Sequence, residues 1–199
     1  MIVIGIDPGT KCGWAVRQPN GTMLSGVWNL AGNRFDGAGM RFLRARRCFT
    51  DLLEATASDF SEVPVKVAVE EVRRHLGVDA AHCYGGIVAV IMSVCEERKI
   101  PYEGVPVSAA KVTATGKGNA DKPAMMAAAI YRWPGWTPAD DNEADARFIA
   151  ETSFAGVPEK KTKSRKKANK GVSDSETNAA PTGPSADRTG RPTTAQDSK

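Results

Sequence analysis

Four acidic residues, Asp7, Glu70, Asp141 and Asp145, stand where carboxylates can do chemistry. Asp7 closes the apolar run Ile2-Val3-Ile4-Gly5-Ile6 and is followed at once by Pro8-Gly9. Such a run reads as a strand buried on both faces, typical of the centre of a sheet. Pro-Gly then forces a turn. A carboxylate at the tip of a central strand suits metal binding or acid/base work, and it suits equally the cap of a turn. Glu70 lies in Pro64-Val65-Lys66-Val67-Ala68-Val69-Glu70-Glu71-Val72. Side chains alternate along a strand, so Ala68, Glu70 and Val72 share one face and Val67, Val69 and Glu71 the other. A buried carboxylate needs a cation, a hydrogen-bond network or a metal, but alternation does not choose between Glu70 and Glu71.

The remaining acids fall in Asp140-Asp141-Asn142-Glu143-Ala144-Asp145-Ala146. Acids in a first helical turn suit the helix dipole, which by itself accounts for Asp140, Asp141 and Glu143. Asp145 comes one turn later, between alanines and beside Phe148 and Ile149. Asp141 and Asp145 are four apart, hence on one helix face at roughly 6 Å between Cβ atoms. Like charges that close repel unless a cation lies between them. Asp7, Glu70, Asp141 and Asp145 could therefore share divalent metals.

The elements that must position these acids follow from periodicity and turn chemistry. After the Asp7 turn, residues 13–17 and 23–30 read as two further strands joined at Pro19-Asn20-Gly21-Thr22, which makes an antiparallel three-strand meander. Residues 40–58 carry a helical stripe of Phe42, Ala45, Phe49, Leu52 and Leu53. The arginines Arg41, Arg44 and Arg47 lie off that stripe, on a solvated flank. Residues 64–72 form the fourth strand and 79–98 a long helix with Tyr84, Ile87, Val88, Ile91, Val94 and Cys95 inward. A short fifth strand spans 101–107. Helices follow from Ser108, from Asp121 as N-terminal cap through Trp133, and over 140–155. The order βββ-α-β-α-β followed by these helices predicts an α/β fold, a mixed five-stranded sheet with helices on both faces.

Charge divides the chain. Residues 157–199 hold 10 Lys/Arg against 5 Asp/Glu, so the formal charge of +4 comes from this tail and residues 1–156 are nearly neutral. The tail has almost no apolar residues with which to offset the entropy of ordering, and reads as a disordered basic segment. Its run from Lys160 to Lys167 suits a phosphate-seeking arm or a solubilising tail. Cys12, Cys48, Cys83 and Cys95 show no CxxC spacing and read as small apolar residues in a reducing compartment. His75 and His82 read as helix-flank residues and not as ligands, and Trp133 and Trp136 as partly buried core. With no signal peptide and no segment of membrane-spanning length, a soluble cytoplasmic protein is expected.

Taken in order, four segments resemble the RuvC family of Holliday-junction resolvases. They are Gly5-Ile6-Asp7-Pro8-Gly9-Thr10, Val69-Glu70-Glu71-Val72, Lys111 with Gly116-Lys117-Gly118-Asn119-Ala120-Asp121-Lys122, and Asp141-Asn142-Glu143-Ala144-Asp145-Ala146. The resemblance covers most of residues 1–156 and none of the tail. It implies a ribonuclease H-like nuclease domain, a homodimer, and Mg²⁺-dependent cleavage of branched DNA to 5′-phosphate and 3′-hydroxyl ends. The family's metal-binding acids match Asp7, Glu70 and Asp145. Its fourth acid matches Asn142, a poorer Mg²⁺ ligand, and Asp141 is the candidate replacement. The family's lysines at phosphate or developing charge match Lys111 and Lys122, and Lys117 is a further backbone contact. Where the family carries a stacking aromatic, this chain has Arg73, Arg74 and His75.

The implied chemistry is two-metal phosphodiester hydrolysis with Mg²⁺, or Mn²⁺ in its place. Asp7 would bridge both ions, with Glu70 and Asp145 each holding one. A two-fold dimer would set two sites against opposed strands of a four-way junction. Three rivals remain: a non-catalytic binder of branched DNA, a ribonuclease H-like nuclease acting on structured RNA, and a kinase-like reading of Asp7-Pro8-Gly9-Thr10. The last needs two domains where this chain has room for one. The long basic tail inclines the reading towards a phage-encoded member.

Overall fold

The computed structural model of the chain describes residues 1–59, 62–73 and 77–156. In chain order its elements are β1 (Ile2–Asp7), β2 (Lys11–Arg17), β3 (Met23–Asn29), α1 (Met40–Asp59), β4 (Val65–Glu71), α2 (Val78–Arg98), β5 (Tyr102–Pro106), α3 (Val107–Thr115), α4 (Lys122–Arg132) and α5 (Asp141–Ala155). The basic tail, Arg74 and His75 lie outside the described residues.

The apolar first run does become the central strand, in a sheet ordered β3-β2-β1-β4-β5. β1 pairs antiparallel with β2 and parallel with β4. β2 pairs antiparallel with β3, and β4 parallel with β5. The expected hairpin turn closes through Gln18 N–H to Thr22 O at 2.8 Å, with Gly21 at φ 89°.

The sheet is covered on both faces. On one side Ile2, Ile4, Ile6, Val67 and Val69 pack against Phe49 and Leu53 of α1 and Ile87, Ile91 and Val94 of α2. On the other, Val3, Ala15 and Ala68 meet Ala144, Phe148, Ile149 and Ala150 of α5, with α3 and α4 outside. Three of the five residues of the helical stripe, Ala45, Phe49 and Leu53, are fully covered. Asp121 caps α4, accepting from Ala124 N–H at 3.0 Å. The four cysteines are free thiols, and burial pushes Cys12 and Cys95 up to about 12, as expected for apolar packing residues.

One expectation needs correction. By length and composition α2 is long and apolar enough to cross a membrane. In this fold it packs one side against the sheet, with Cys83, Ile87, Ile91, Val94 and Cys95 inward. The stripe was legible, but Val88 and Val90 on its flanks and Gly85 and Ala89 on the outer side raise the hydropathy of the whole helix.

α5 is more deeply placed than its composition suggests. Ten of its 15 residues are buried, including Glu143, Arg147, Glu151, Thr152 and Ser153, because it lies between the sheet and the α3–α4 layer. Two glycines allow this. A Cβ on Gly5 of β1 would come 2.3 Å from Ala146 O and 2.7 Å from Ala150 N. A Cβ on Gly13 of β2 would come 2.0 Å from Asn142 O. The helix backbone thus rests directly on the strand backbone, which no side chain at either position permits.

Candidate active site

The parallel register of β1 and β4 sets the first two acids side by side. Ile6 pairs with Val69, so Asp7, the last residue of β1, and Glu70, the last but one of β4, stand at the same level on adjacent strands. Both project to the α5 face, opposite Ile6 and Val69. This resolves the choice left open by alternation: Glu70 lies in the cluster, while Glu71 points away and pairs with the exposed Arg73 at 3.4 Å. The Asp7 and Glu70 carboxyls hydrogen-bond each other. Burial, then the charges of Glu70 and Asp145, hold Asp7 well above the ordinary carboxylate range. Burial raises Glu70 too, partly offset by its bond to Asp7 and by Lys111.

α5 supplies the other side. Asp140 caps it, accepting from Asn142 and Glu143 N–H at 3.0 and 3.2 Å. This starts the helix at Asp141 and aims Asp141 and Asp145 at the strand tips. Burial first, then the charges of Glu70 and Asp141, raise Asp145 from 3.8 to about 6. Asp141 is the more exposed of the two and forms an ion pair with Lys122. That bond holds Asp141 below its ordinary value and raises Lys122.

The predicted lysines divide. Lys122 is in the cluster, its side chain 79% exposed and reachable from solvent. Lys111 donates to Ala120 O at 2.6 Å, which ties α3 to the loop before α4, and its charge acts on both Glu70 and Asp145. Lys117 stands on the exposed α3–α4 turn, where its backbone bonds the Thr115 hydroxyl and not the acids. Arg73 lies past the end of β4, beside a small cavity lined by Glu71, Pro106, Val107 and Ser108. Trp133 packs on Phe148 with ring centroids 4.9 Å apart and Trp136 lies under the Arg147 guanidinium at 3.7 Å, in agreement with the core reading.

Sequence reasoning missed the supports. Glu143, first read only as a dipole acid, is 4% exposed and accepts from Ser25 Oγ at 2.6 Å and Ala139 N–H at 2.7 Å. Arg147 donates to the same Ser25 Oγ at 2.7 Å. This network pins the start of α5 to β3. Its members are more than 100 residues apart, and only the Glu143–Arg147 spacing of four could have suggested it. Lys11, also unforeseen, reaches Asp140 at 3.8 Å.

As the side chains stand, no three of these acids converge on one point among the described residues. The Asp7 and Glu70 carboxyls face each other, and Asp141 is paired with Lys122. The donor set nevertheless fits a hard divalent cation: four carboxylates, three of them raised by burial and two of these, Asp7 and Asp145, raised further by neighbouring acids, which a cation between them relieves.

Such repulsion is a stability cost. An acid with a raised folded-state value loses stability as pH climbs from its unfolded to its folded value. For Asp145 that window is 3.8 to about 6, equivalent to roughly 3 kcal/mol at neutral pH. Asp145→Asn should therefore melt several degrees higher than wild type at pH 7 without metal, with the gap closing below pH 4. Thermal unfolding at the two pH values, with and without Mg²⁺, checks this; an equal gap at both refutes it.

The fold is a ribonuclease H-like α/β domain, with acidic residues where its parallel strands end. No protein-family model matches the chain. A curated relative, the crossover junction endodeoxyribonuclease RuvC of Ruegeria pomeroyi, is 26% identical over 152 residues, 75% of this chain and 88% of that one. The structure of Thermus thermophilus RuvC superposes with a TM-score of 0.61 at 22% identity, over 79% of this chain and 98% of that one. The same protein in complex with a Holliday junction substrate also gives 0.61 at 22% identity, covering 76% and 92%. The chain is RuvC-like in sequence and in fold, as its four motif segments implied.

Proposed function

We propose that this chain is a structure-specific endodeoxyribonuclease that resolves Holliday junctions or other branched DNA by metal-dependent phosphodiester hydrolysis. The observation that carries the reading is that Asp7 and Glu70, at adjacent strand tips, lie within electrostatic reach of Asp141 and Asp145 of α5, with Lys111 and Lys122 acting on the same acids. The curated RuvC relative supports the reaction class. Two Mg²⁺ ions, or Mn²⁺ in their place, would when bound activate water and stabilise the leaving oxygen.

The chain's own residues do the rest. Asp7, Glu70 and Asp145 would hold the ions, with Asp7 central because both other acids act on it. Asp141 would be the fourth ligand. Its carboxylate already faces Asp7 and Asp145 electrostatically, whereas Asn142 sets its backbone against Gly13. Lys122, now paired with Asp141, would turn to a substrate phosphate, and Lys111 would neutralise charge from the α3 side. Lys117 and Arg73 contact the DNA backbone further out, and Arg74 is assigned the same role.

Asp141→Asn should lower metal-dependent cleavage roughly 10- to 100-fold, and Asn142→Ala by a small factor only. Initial rates across a Mg²⁺ series check the pair, and the reverse order would assign the fourth position to Asn142.

A second copy of the chain is the proposed protein partner. The outer side of α2 carries Gly85, Ala89 and Ser93 one turn apart and exposed, with Val88 and Met92 half-buried alongside. A helix that is apolar on its outer side as well is suited to a two-fold partner. The work would be done in the cytoplasm of a bacterial cell, by a host- or phage-encoded protein. Cleavage of a synthetic four-way junction with Mg²⁺ and with EDTA tests the whole. Tight junction binding without cleavage under Mg²⁺ and Mn²⁺ would make the chain a non-catalytic binder, and preferential cutting of structured RNA would redirect the substrate.

A further inference from the structure

We infer that Tyr84 is a positioning residue for the metal site, one that sets Glu70 through its backbone; the inference rests on the metal-dependent reading above. β1 turns away at Pro8-Gly9, while β4 runs on to Glu71. Past that point β4 has a carbonyl at Glu70 and an amide at Val72, which project to the same side of a strand. The Tyr84 hydroxyl takes both. It donates to Glu70 O at 2.7 Å and accepts from Val72 N–H at 3.1 Å.

The neighbouring residue of α2 holds the other tip. Cys83 Sγ lies 3.8 Å from Thr10 Oγ1, in the turn that follows Asp7. Between them is a cavity of about 290 Å³ lined by Pro8, Gly9, Thr10, Val72, Ala80, Cys83 and Tyr84, so the two tips do not pack directly on this side. One helical turn thus spans the gap and sets how far apart the two strand ends, and with them Asp7 and Glu70, are held. Tyr84 touches neither carboxylate through these bonds; it acts on where the Glu70 carboxylate stands.

Tyr84→Phe keeps the ring and removes both bonds. Mn²⁺ binding to the full chain, followed by electron paramagnetic resonance at pH 7, should weaken roughly 10- to 100-fold, the loss typical of removing a group that orients a metal ligand. Junction affinity measured in Ca²⁺ should stay unchanged, and excess metal should restore cleavage. Leu53→Ala, in the core remote from the site, serves as a control that lowers the melting temperature without moving Mn²⁺ affinity. Unchanged Mn²⁺ affinity in Tyr84→Phe, or an equal loss in Leu53→Ala, overturns the proposal. If Tyr84→Phe does not fold, hydrogen exchange of the Val72 amide in wild type decides: it should slow when Mg²⁺ is added, and no response overturns the proposal. A chain whose Mn²⁺ affinity depends on Tyr84 but which leaves junctions intact would overturn the nuclease reading and leave this one standing.

Discussion

Asp7→Asn is expected to lower junction cleavage on the order of a thousandfold while leaving junction binding intact. The argument is electrostatic. A metal ion contributes several kcal/mol of charge stabilisation in phosphoryl chemistry, and about 1.36 kcal/mol is a factor of ten in rate. Asp7 is the acid that faces Glu70, Asp145 and Asp141 together. Asparagine keeps its shape and can still hydrogen-bond Glu70, but it removes the charge that the other three acids oppose. The metal-free variant should accordingly be the more stable protein at neutral pH, as an active site that trades stability for function predicts. Single-turnover cleavage of a labelled four-way junction in Mg²⁺, beside a gel-shift in Ca²⁺, gives both readings. A variant that cuts within tenfold of wild type would remove Asp7 from the chemistry. One that loses binding as well would make its role structural.

Gly13→Ala and Gly5→Ala should each damage both fold and activity, although neither glycine carries any chemistry. The atoms that a Cβ would meet are backbone atoms of α5, at 2.0 Å for Gly13 and 2.3 Å for Gly5. No rotamer change relieves such a clash, so the helix or the strand must shift. Overpacking of this kind costs about 1–3 kcal/mol, occasionally more, and roughly 2–4 °C of melting temperature goes with each kcal/mol in a domain of this size. The catalytic loss should be larger. α5 carries Asp141 and Asp145 towards Asp7 and Glu70, and about 1 Å of misplacement can cost on the order of 100-fold in rate. Gly37→Ala, in a loop with nothing within 4 Å of its would-be Cβ, is the control. If Gly13→Ala melts and cleaves like Gly37→Ala, the close approach of α5 does not position the site.

These predictions draw on different levels of information. Asp7 was legible because its signal is local: an Ile/Val run, one acid, and Pro-Gly. Asp145 was legible from its place among alanines one turn into a helix. Glu70 against Glu71 was not, because alternation assigns the two acids to opposite faces without saying which face meets α5. That choice needed the β1–β4 register and the packing of a helix some 70 residues further on. The burial of α5 was equally hidden, since Glu143, Arg147 and Glu151 make it look amphipathic to a sequence reader. Their partners, Ser25 and Arg17, come from β2 and β3.

By itself, then, the sequence determined the order of elements, the central strand, the acids that stand at its tip and on the last helix, and the likeness to RuvC. All of these depend on neighbours within a few residues or on simple periodicity. Only the tertiary structure decided that Glu70 and not Glu71 joins the cluster, that Asp141 faces Lys122 and the other acids while Asn142 abuts Gly13, and that Tyr84 clasps the end of β4. The physical reason is the same in each case: a strand or helix specifies which residues share a face, but burial and charge depend on what is packed against that face.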